Sequence, residues 1–337
     1  MATILTTNFD YTYDGKLITE VMYKPVQNTP ALGDLFTILT GAKYKFQIPL
    51  LTPLDKITTA ATGCERTFSG VKQITNTTLS LVPLEINAEF CKTDFEGAGN
   101  ILAEEWLRQG IDEFNIDGTQ LQRIINTLLT DAQRLDAFRF ALFGDANDGN
   151  ADWNAFTGMI PSLVAGLAEG GEIESYCVQG QSGQFSGALG DNEALDALRN
   201  AWGRATQILK SQPDLRFYVT GQVFDNLLAS YTQLGTTEIQ MTYLQNGVPS
   251  MRFYGIPVIA VRYADTLLAD PDNPLYNTME NFVILTTKAN HFLGTDRPQD
   301  IENIAGWYER KDRKFYFEGY WRMGYQRKFC DLDVLIY

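Results

Sequence analysis

The chain has 337 residues, enough to bury a sizeable core in one large or two intertwined domains. With 45% hydrophobic and 20% charged residues, its composition excludes disorder as the main state. The net charge is −14, and about −12 of it lies between Gly97 and Gln299. That balance excludes nonspecific nucleic-acid binding, which needs clustered Lys and Arg to displace counterions. The same charge also serves solubility and the avoidance of premature association.

Residues 1 to about 40 mix short apolar patches with turn residues (Asp14-Gly15, Pro25, Pro30, Gly33). They read as an arm over another surface or a frayed end. The N-terminal residues have neither a basic region nor a long apolar run, so a secreted protein is not expected. From Lys43, Tyr44, Phe46 and Ile48 alternate with polar residues as in a half-buried strand. Pro49 and Pro53 are expected to interrupt it, and a return strand runs from Ile74 through Leu79 and Leu81 to Pro83. The result is a hairpin with a long Thr-rich tip. Tips beyond about 12–15 residues are usually functional or disordered. We expect this one to lean on a neighbouring subunit, through Asp55, Lys56, Thr58, Thr59 and Arg66.

Gly99 to about Phe114 carries apolar residues at helical spacing and is broken at Asp117-Gly118. Thr119 then caps a long helix to Phe143, with Leu121, Ile124, Ile125, Leu128, Leu129, Ala132, Leu135 and Phe138 on one face. At 1.5 Å per residue it spans roughly 37 Å. An acidic side chain at Leu128 is expected to prevent folding, since an unpaired charge on a buried face costs several kcal/mol. Gly144 stops the helix. The loop that follows departs from calcium-loop spacing, with its glycine one position early and Phe156 in place of the bidentate Glu. Gly166 to Gly190 reads as a flexible loop without a phosphate-cradle signature.

A helix capped by Asn192 or Asp191 follows, with Ala194, Leu195, Leu198, Ala201, Trp202, Ala205, Ile208 and Leu209 on one face. Then come a strand Arg216 to Thr220, a helix around Val223 to Tyr231, and strands Met251 to Tyr254, Ile256 to Val261 and Phe282 to Thr286. Interleaving of this kind makes a compact α/β unit. The chain closes on Trp307 to Glu309 and Lys314 to Gln326 around a turn at Lys311-Asp312-Arg313. Phe315, Phe317, Trp321, Met323 and Tyr325 share one face.

Catalytic chemistry finds little purchase here. His291 is the only histidine, and its surroundings read as strand-end and turn, so it reads as a core or surface residue rather than the base of a triad. Cys64, Cys91, Cys177 and Cys330 are far apart, form no C-x-x-C pair and lack imidazole partners for zinc. They are expected to be reduced, buried thiols. Glu104-Glu105 and Asp112-Glu113 read as solvated helix faces, although two carboxylates across a cleft remain open as a glycosidase arrangement. No catalytic residue, metal site or cofactor is expected.

Three stretches carry a resemblance: RLDAFRFALFGD with NAFTGMI, LRFYVTGQVFDNLL, and MRFYGIPVIAV with Gly255-Ile256-Pro257-Val258. In this order, over nearly the whole length, the chain resembles the major capsid proteins of tailed bacteriophages, the Hong Kong 97 fold. The resemblance implies an α+β protein with an N-terminal arm (1–40), an extended β-hairpin loop (41–83), a peripheral domain with a spine helix (84–160), an axial domain (161–290) and return strands (291–337). It implies hexamers and pentamers in an icosahedral virion shell around double-stranded DNA, held without sequence-specific binding. Portal, scaffolding and decoration proteins are the implied partners, with assembly in the host cytoplasm and no membrane. Some members cross-link a loop Lys to a neighbour's Asn. Lys56 is the only lysine near the tip, and no matching Asn or Glu is identified, so that chemistry is not carried over. The long charged helical extension that scaffolds some members is also absent, which implies a separate scaffold or a mature form. Two other readings remain: an encapsulin-like nanocompartment shell and an acidic-cleft hydrolase.

Overall fold

The computed structural model describes residues 32–41, 44–51, 74–91, 120–167, 178–185, 188–234, 239–243, 249–296 and 304–337. The chain divides into two compact units. The first comprises Met1–Val26, Glu85–Gln133 and Ile301–Tyr320; the second comprises Gln27–Leu84, Arg134–Asp300 and Trp321–Tyr337.

The elements in chain order begin with α1 (Leu32–Leu35), β1 (Thr37–Thr40), β2 (Lys45–Leu51), β3 (Ile74–Ser80) and β4 (Val82–Cys91). Next come α2 (Gln120–Phe143), α3 (Met159–Leu167), β5 (Gln179–Gln181), α4 (Glu193–Arg204), α5 (Gln207–Lys210), β6 (Leu215–Thr220) and α6 (Gly221–Leu234). β7 (Ile239–Tyr243), β8 (Pro249–Phe253), β9 (Ile256–Val261), α7 (Arg262–Leu268) and β10 (Val283–Thr287) follow. The last are β11 (His291–Thr295), β12 (Ile304–Glu309), β13 (Lys314–Arg327) and β14 (Val334–Ile336).

In the first unit β12 and the first half of β13 form an antiparallel hairpin, from Ile304 opposite Gly319 to Glu309 opposite Lys314. β4 also pairs with β13. Alternation puts Phe315 and Phe317 on one face, where they bury against Ile125 of α2 with Ala88, Phe90, Leu129 and Tyr308 around them. The opposite face carries the Lys314 to Glu89 ion pair at 2.7 Å. Within α2 the burial pattern corrects the sequence expectation. Ile125 is 2% exposed but Leu128 is 44% exposed: Leu129, one turn on from Ile125, packs with it against Phe315 and Phe317, whereas Leu128 lies on the edge of that stripe.

The second unit is built on a mixed sheet in the order β5-β14-β10-β6-β9-β8-β7. β10, an interior strand, is buried along its whole length, as expected of a strand covered on both faces. One cover is α4 and α6: Leu195, Leu198, Val223 and Leu227 pack on Phe217, Val219, Phe253, Val283 and Leu285. Sequence expectations are adjusted at four places here. The presumed flexible loop contributes β5, which gains order by pairing in parallel with β14. The helix from residue 193 stops at Ala205, where ψ becomes 135°. α5 restarts with Thr206 as its cap, accepting from the Leu209 N–H. Ile208 is therefore 60% exposed rather than buried. Asn192 sits at the cap of α4 with φ 63°, but its side chain makes no cap hydrogen bond. The Oδ1 of Asn226 accepts from the Ala194 N–H instead, at 3.2 Å.

The second unit also holds β1, parallel to β11, with β11 antiparallel to the second half of β13. The expected hairpin is present as the antiparallel pair β2–β3. β2 continues through Pro49, opposite Asn76, to Leu51. In a two-stranded ribbon an outward-facing N–H bonds no partner, so proline is tolerated there. Cys330 is disulfide-bonded, which corrects the expectation of reduced thiols, and its partner lies outside the described residues. Cys91 is a free thiol.

Candidate functional site

The predicted contact residues Asp55, Lys56, Thr58, Thr59 and Arg66 lie outside the described residues. So does the helical reading of Gly99 to Phe114. What the structure defines is the base of the hairpin that carries the tip. Ile48, Leu50, Leu79 and Leu81 bury there against Phe292 of β11. The Leu81 N–H donates to the Tyr44 carbonyl at 2.8 Å. The Arg322 guanidinium lies 4.7 Å over the Tyr44 ring and 3.7 Å from Asp296.

The seat itself is a pair of glycines. Gly294 of β11 and Gly324 of β13 are cross-strand partners. A Cβ on Gly294 would come within 2.6 Å of Leu81 Cδ2 and 2.8 Å of Leu79 Cδ2. A Cβ on Gly324 would collide with the Ser80 backbone carbonyl. Two adjacent residues without side chains cut a notch in the sheet, and the turn from β3 to β4 fills it. At Gly324 the close approach of the Ser80 backbone admits only glycine.

Next to this seat lies a buried polar cluster joining β10 and β14 to β11 and β13. His291 and Asp333 are fully buried, as are Thr286 and Asn290. The Thr286 hydroxyl donates to Asp333 Oδ1 at 2.5 Å and lies 2.8 Å from His291 Nε2. His291 Nδ1 lies 2.7 Å from the Tyr325 hydroxyl. Since Thr286 gives its only proton to Asp333, His291 Nε2 carries a proton toward Thr286, and Nδ1 accepts from Tyr325. Burial, reinforced by Asp333 and partly offset by Arg327, holds the Tyr325 phenol well above its ordinary pKa, which keeps it a donor. Asn290 Nδ2 donates to Asp333 Oδ1 at 3.0 Å and to the Phe329 carbonyl at 2.7 Å, and its Oδ1 accepts from the Phe329 N–H.

A His–Asp pair beside a hydroxyl has the parts of a hydrolase, but every member here is sealed from solvent and bonded to another. The cluster is a polar staple between strands; within it Asp333 Oδ2 makes no hydrogen bond and lies 3.8 Å from the Arg327 guanidinium, and buried polar networks of this kind specify one packing. His291 is therefore a core residue, one of the two readings the sequence allowed. Its partners escaped sequence reasoning because Asp333 and Tyr325 are 42 and 34 residues away, with no motif linking them.

The acidic loop after α2 is organised by its own turns. The carboxylates of Asp145 and Asp148 accept from the N–H groups of Asn147 and Asn150. No group of three or more metal-ligating side chains occurs among the described residues. None of the described helices is long and apolar enough to cross a membrane.

Two sheets joined by a buried polar staple, a hairpin seated on glycines and a long helix make up a mixed α/β fold, and that fold is similar to those of phage capsids. By sequence the chain matches no family model and no curated protein. By fold it is similar to the capsid of the native GTA particle, with a TM-score of 0.54 at 13% identity over 100% of this chain and 98% of that one. The capsid of Myoviridae phage XM1 gives 0.55 at 10% identity over 96% of both chains. The satellite phage P4 procapsid, which includes the size determination protein Sid, gives 0.52 at 13% identity over 91% of this chain and 94% of that one.

Proposed function

We propose that this chain is the major capsid protein of a tailed phage, with the Hong Kong 97 fold in its details. It assembles as hexamers and pentamers into an icosahedral virion shell that encloses double-stranded DNA. The observation that carries this reading is the similarity to phage capsids along 91–100% of the chain. In it β2–β3 is the base of the extended loop (41–83), α2 is the spine of a peripheral domain (84–160), and residues 161–290 form the axial domain. An arm (1–40) and return strands (291–337) complete the subunit. The loop tip, from Asp55 to Arg66, contacts a neighbouring copy. Portal, scaffolding and decoration proteins complete the particle. The role is structural, and no residue is assigned to catalysis.

Expression alone and with the neighbouring genes, followed by sedimentation and negative-stain electron microscopy, tests the reading. Closed shells, or sheets and tubes of hexamers, are expected. A monomer or small oligomer in every combination would refute it. A chain lacking residues 55–66 is expected to fold without closing shells. Full shell yield from that deletion would refute the role given to the tip.

A further inference from the structure

β6 and β9 are parallel, so the sheet has one end at their N-termini and another at their C-termini. Six residues at ~3.3 Å each separate the two ends by about 20 Å.

At the N-terminal end, the turn between β8 and β9 holds Tyr254 at φ 50° and Gly255 at φ 81°. Two-residue turns with both φ positive favour Asn or Asp before Gly, because a larger side chain is strained in the left-handed region. Tyr254 sits there nonetheless, 48% exposed, its ring 4.3 Å from that of Phe253 and 6.0 Å from that of Trp202. Lys210 Nζ lies 5.1 Å over the Trp202 ring, and the exposed Ile208 is two residues before it. Strained backbone that keeps a large ring at the surface points toward a function for that ring. Trp and Tyr are also the side chains that most often anchor interfaces.

At the C-terminal end, residues 269–281 run from α7 to β10. They are tied to β6 by the Thr220 N–H donating to the Phe282 carbonyl and by the Thr220 hydroxyl donating to Asn281. The loop is held from within. Asn273, 4% exposed, donates to the Leu267 carbonyl at 2.7 Å and accepts from the Leu275 N–H at 2.8 Å. Asp272, Glu280 and Tyr276 are exposed on the loop, and half-buried Asp270 accepts from the Asp272 N–H at 3.1 Å. No Lys or Arg occurs from Tyr263 to Thr287.

We propose that the aromatic platform of one copy docks on the acidic loop of the next, head to tail. Lys210 faces the carboxylates of Asp270 and Asp272, and Tyr276 packs against Tyr254 and Ile208. The occupant is a second copy on two grounds. Within one chain the surfaces lie at opposite ends of the same strands and cannot meet. The chain carries a net charge of −14, so like copies repel in general, and a Lys210 facing this acidic loop supplies complementary charge at the contact. A head-to-tail contact whose rotation closes generates rings. This inference rests on the shell-subunit reading and names one contact that reading requires.

The test uses the full chain carrying Lys210→Glu, Asp272→Lys or both, with Ile208→Asp as a second probe of the platform. Assembly is followed by sedimentation and electron microscopy, and folding by circular dichroism melts. Each single variant is expected to fold and to lose assembled material by about tenfold, while the charge-swapped double recovers. Mixing the two single variants should restore only even-membered rings, because favourable contacts then alternate, so hexamers form without pentamers. Folded single variants and Ile208→Asp that assemble like wild type would overturn the inference, as would a folded double that does not recover. Those results leave wild-type shells intact. Absence of shells from the wild type would instead overturn the shell reading itself.

Discussion

Replacing Gly324 with alanine tests whether the extended hairpin is seated as the structure describes. The added Cβ meets the Ser80 carbonyl, a backbone atom with no rotamer to change. At Gly294 the added Cβ meets the ends of the Leu79 and Leu81 side chains, 2.6–2.8 Å away, which can yield by a few tenths of an ångström. Overpacking in a closed core costs about 1–3 kcal/mol, so Gly294→Ala belongs near the bottom of that range and Gly324→Ala near or above the top. The loss should be local. β2 and β3 depend on this seat through Leu79, Leu81 and Phe292, whereas the core around β6 and β10 shares none of those residues. Hydrogen exchange by mass spectrometry on the unassembled subunit is the assay. Peptides from 45–51 and 74–80 should lose protection in Gly324→Ala, more than in Gly294→Ala, while 215–220 and 283–287 stay protected. Equal protection of the hairpin in wild type and Gly324→Ala would refute the seat. Loss of protection throughout would refute its independence from the main sheet.

Burial holds the phenols of Tyr325 and Tyr218 above the ordinary pKa near 10. Their stabilising contribution is therefore complete below pH 10 and lost as pH rises past it, by up to ~1.4 kcal/mol per pH unit for each. Urea melts at pH 8 and 11 should show this loss. Tyr325→Phe should be ~1–3 kcal/mol less stable at pH 8, because His291 Nδ1 loses its donor, yet shallower in its alkaline decline; an unchanged slope would count against the assignment. Ile125→Asp should prevent folding of the first unit, at several kcal/mol for an unpaired buried charge, while Leu128→Asp should fold, being 44% exposed. Circular dichroism and solubility of the pair decide this, and a folded Ile125→Asp would place the wrong face of α2 against the sheet.

Where local pattern and tertiary packing agree, the elements could be read from the sequence. The 24-residue α2, the β12–β13 hairpin and the strands around Gly255 were legible because period and turn chemistry coincide. Legibility failed where an element exists only through a distant partner. β1 is four residues ordered by β11, 255 residues away, and β5 is three residues ordered by β14. His291 looked like a strand-end because residues 288–290 form a single 3₁₀ turn before β11. The polar cluster was invisible for the same reason: Thr286, Asn290, Tyr325 and Asp333 are ordinary residues until the fold brings them together. The exposed Leu128 and Ile208 mark the other limit, since helical spacing alone does not say which part of an apolar stripe one subunit covers.

The distribution of long-range contacts bears on how the hairpin base forms. β14 lies inside its sheet, between β5 and β10, so that sheet stays open until β14 inserts. Asp333, just before β14, gathers Thr286, His291 and Asn290, and the hairpin seat needs Gly324 against Ser80. Each of these pairings closes a long loop, whose entropy must be offset before the contact rewards it. The hairpin base is therefore completed by non-local contacts rather than by the local pattern of its own residues.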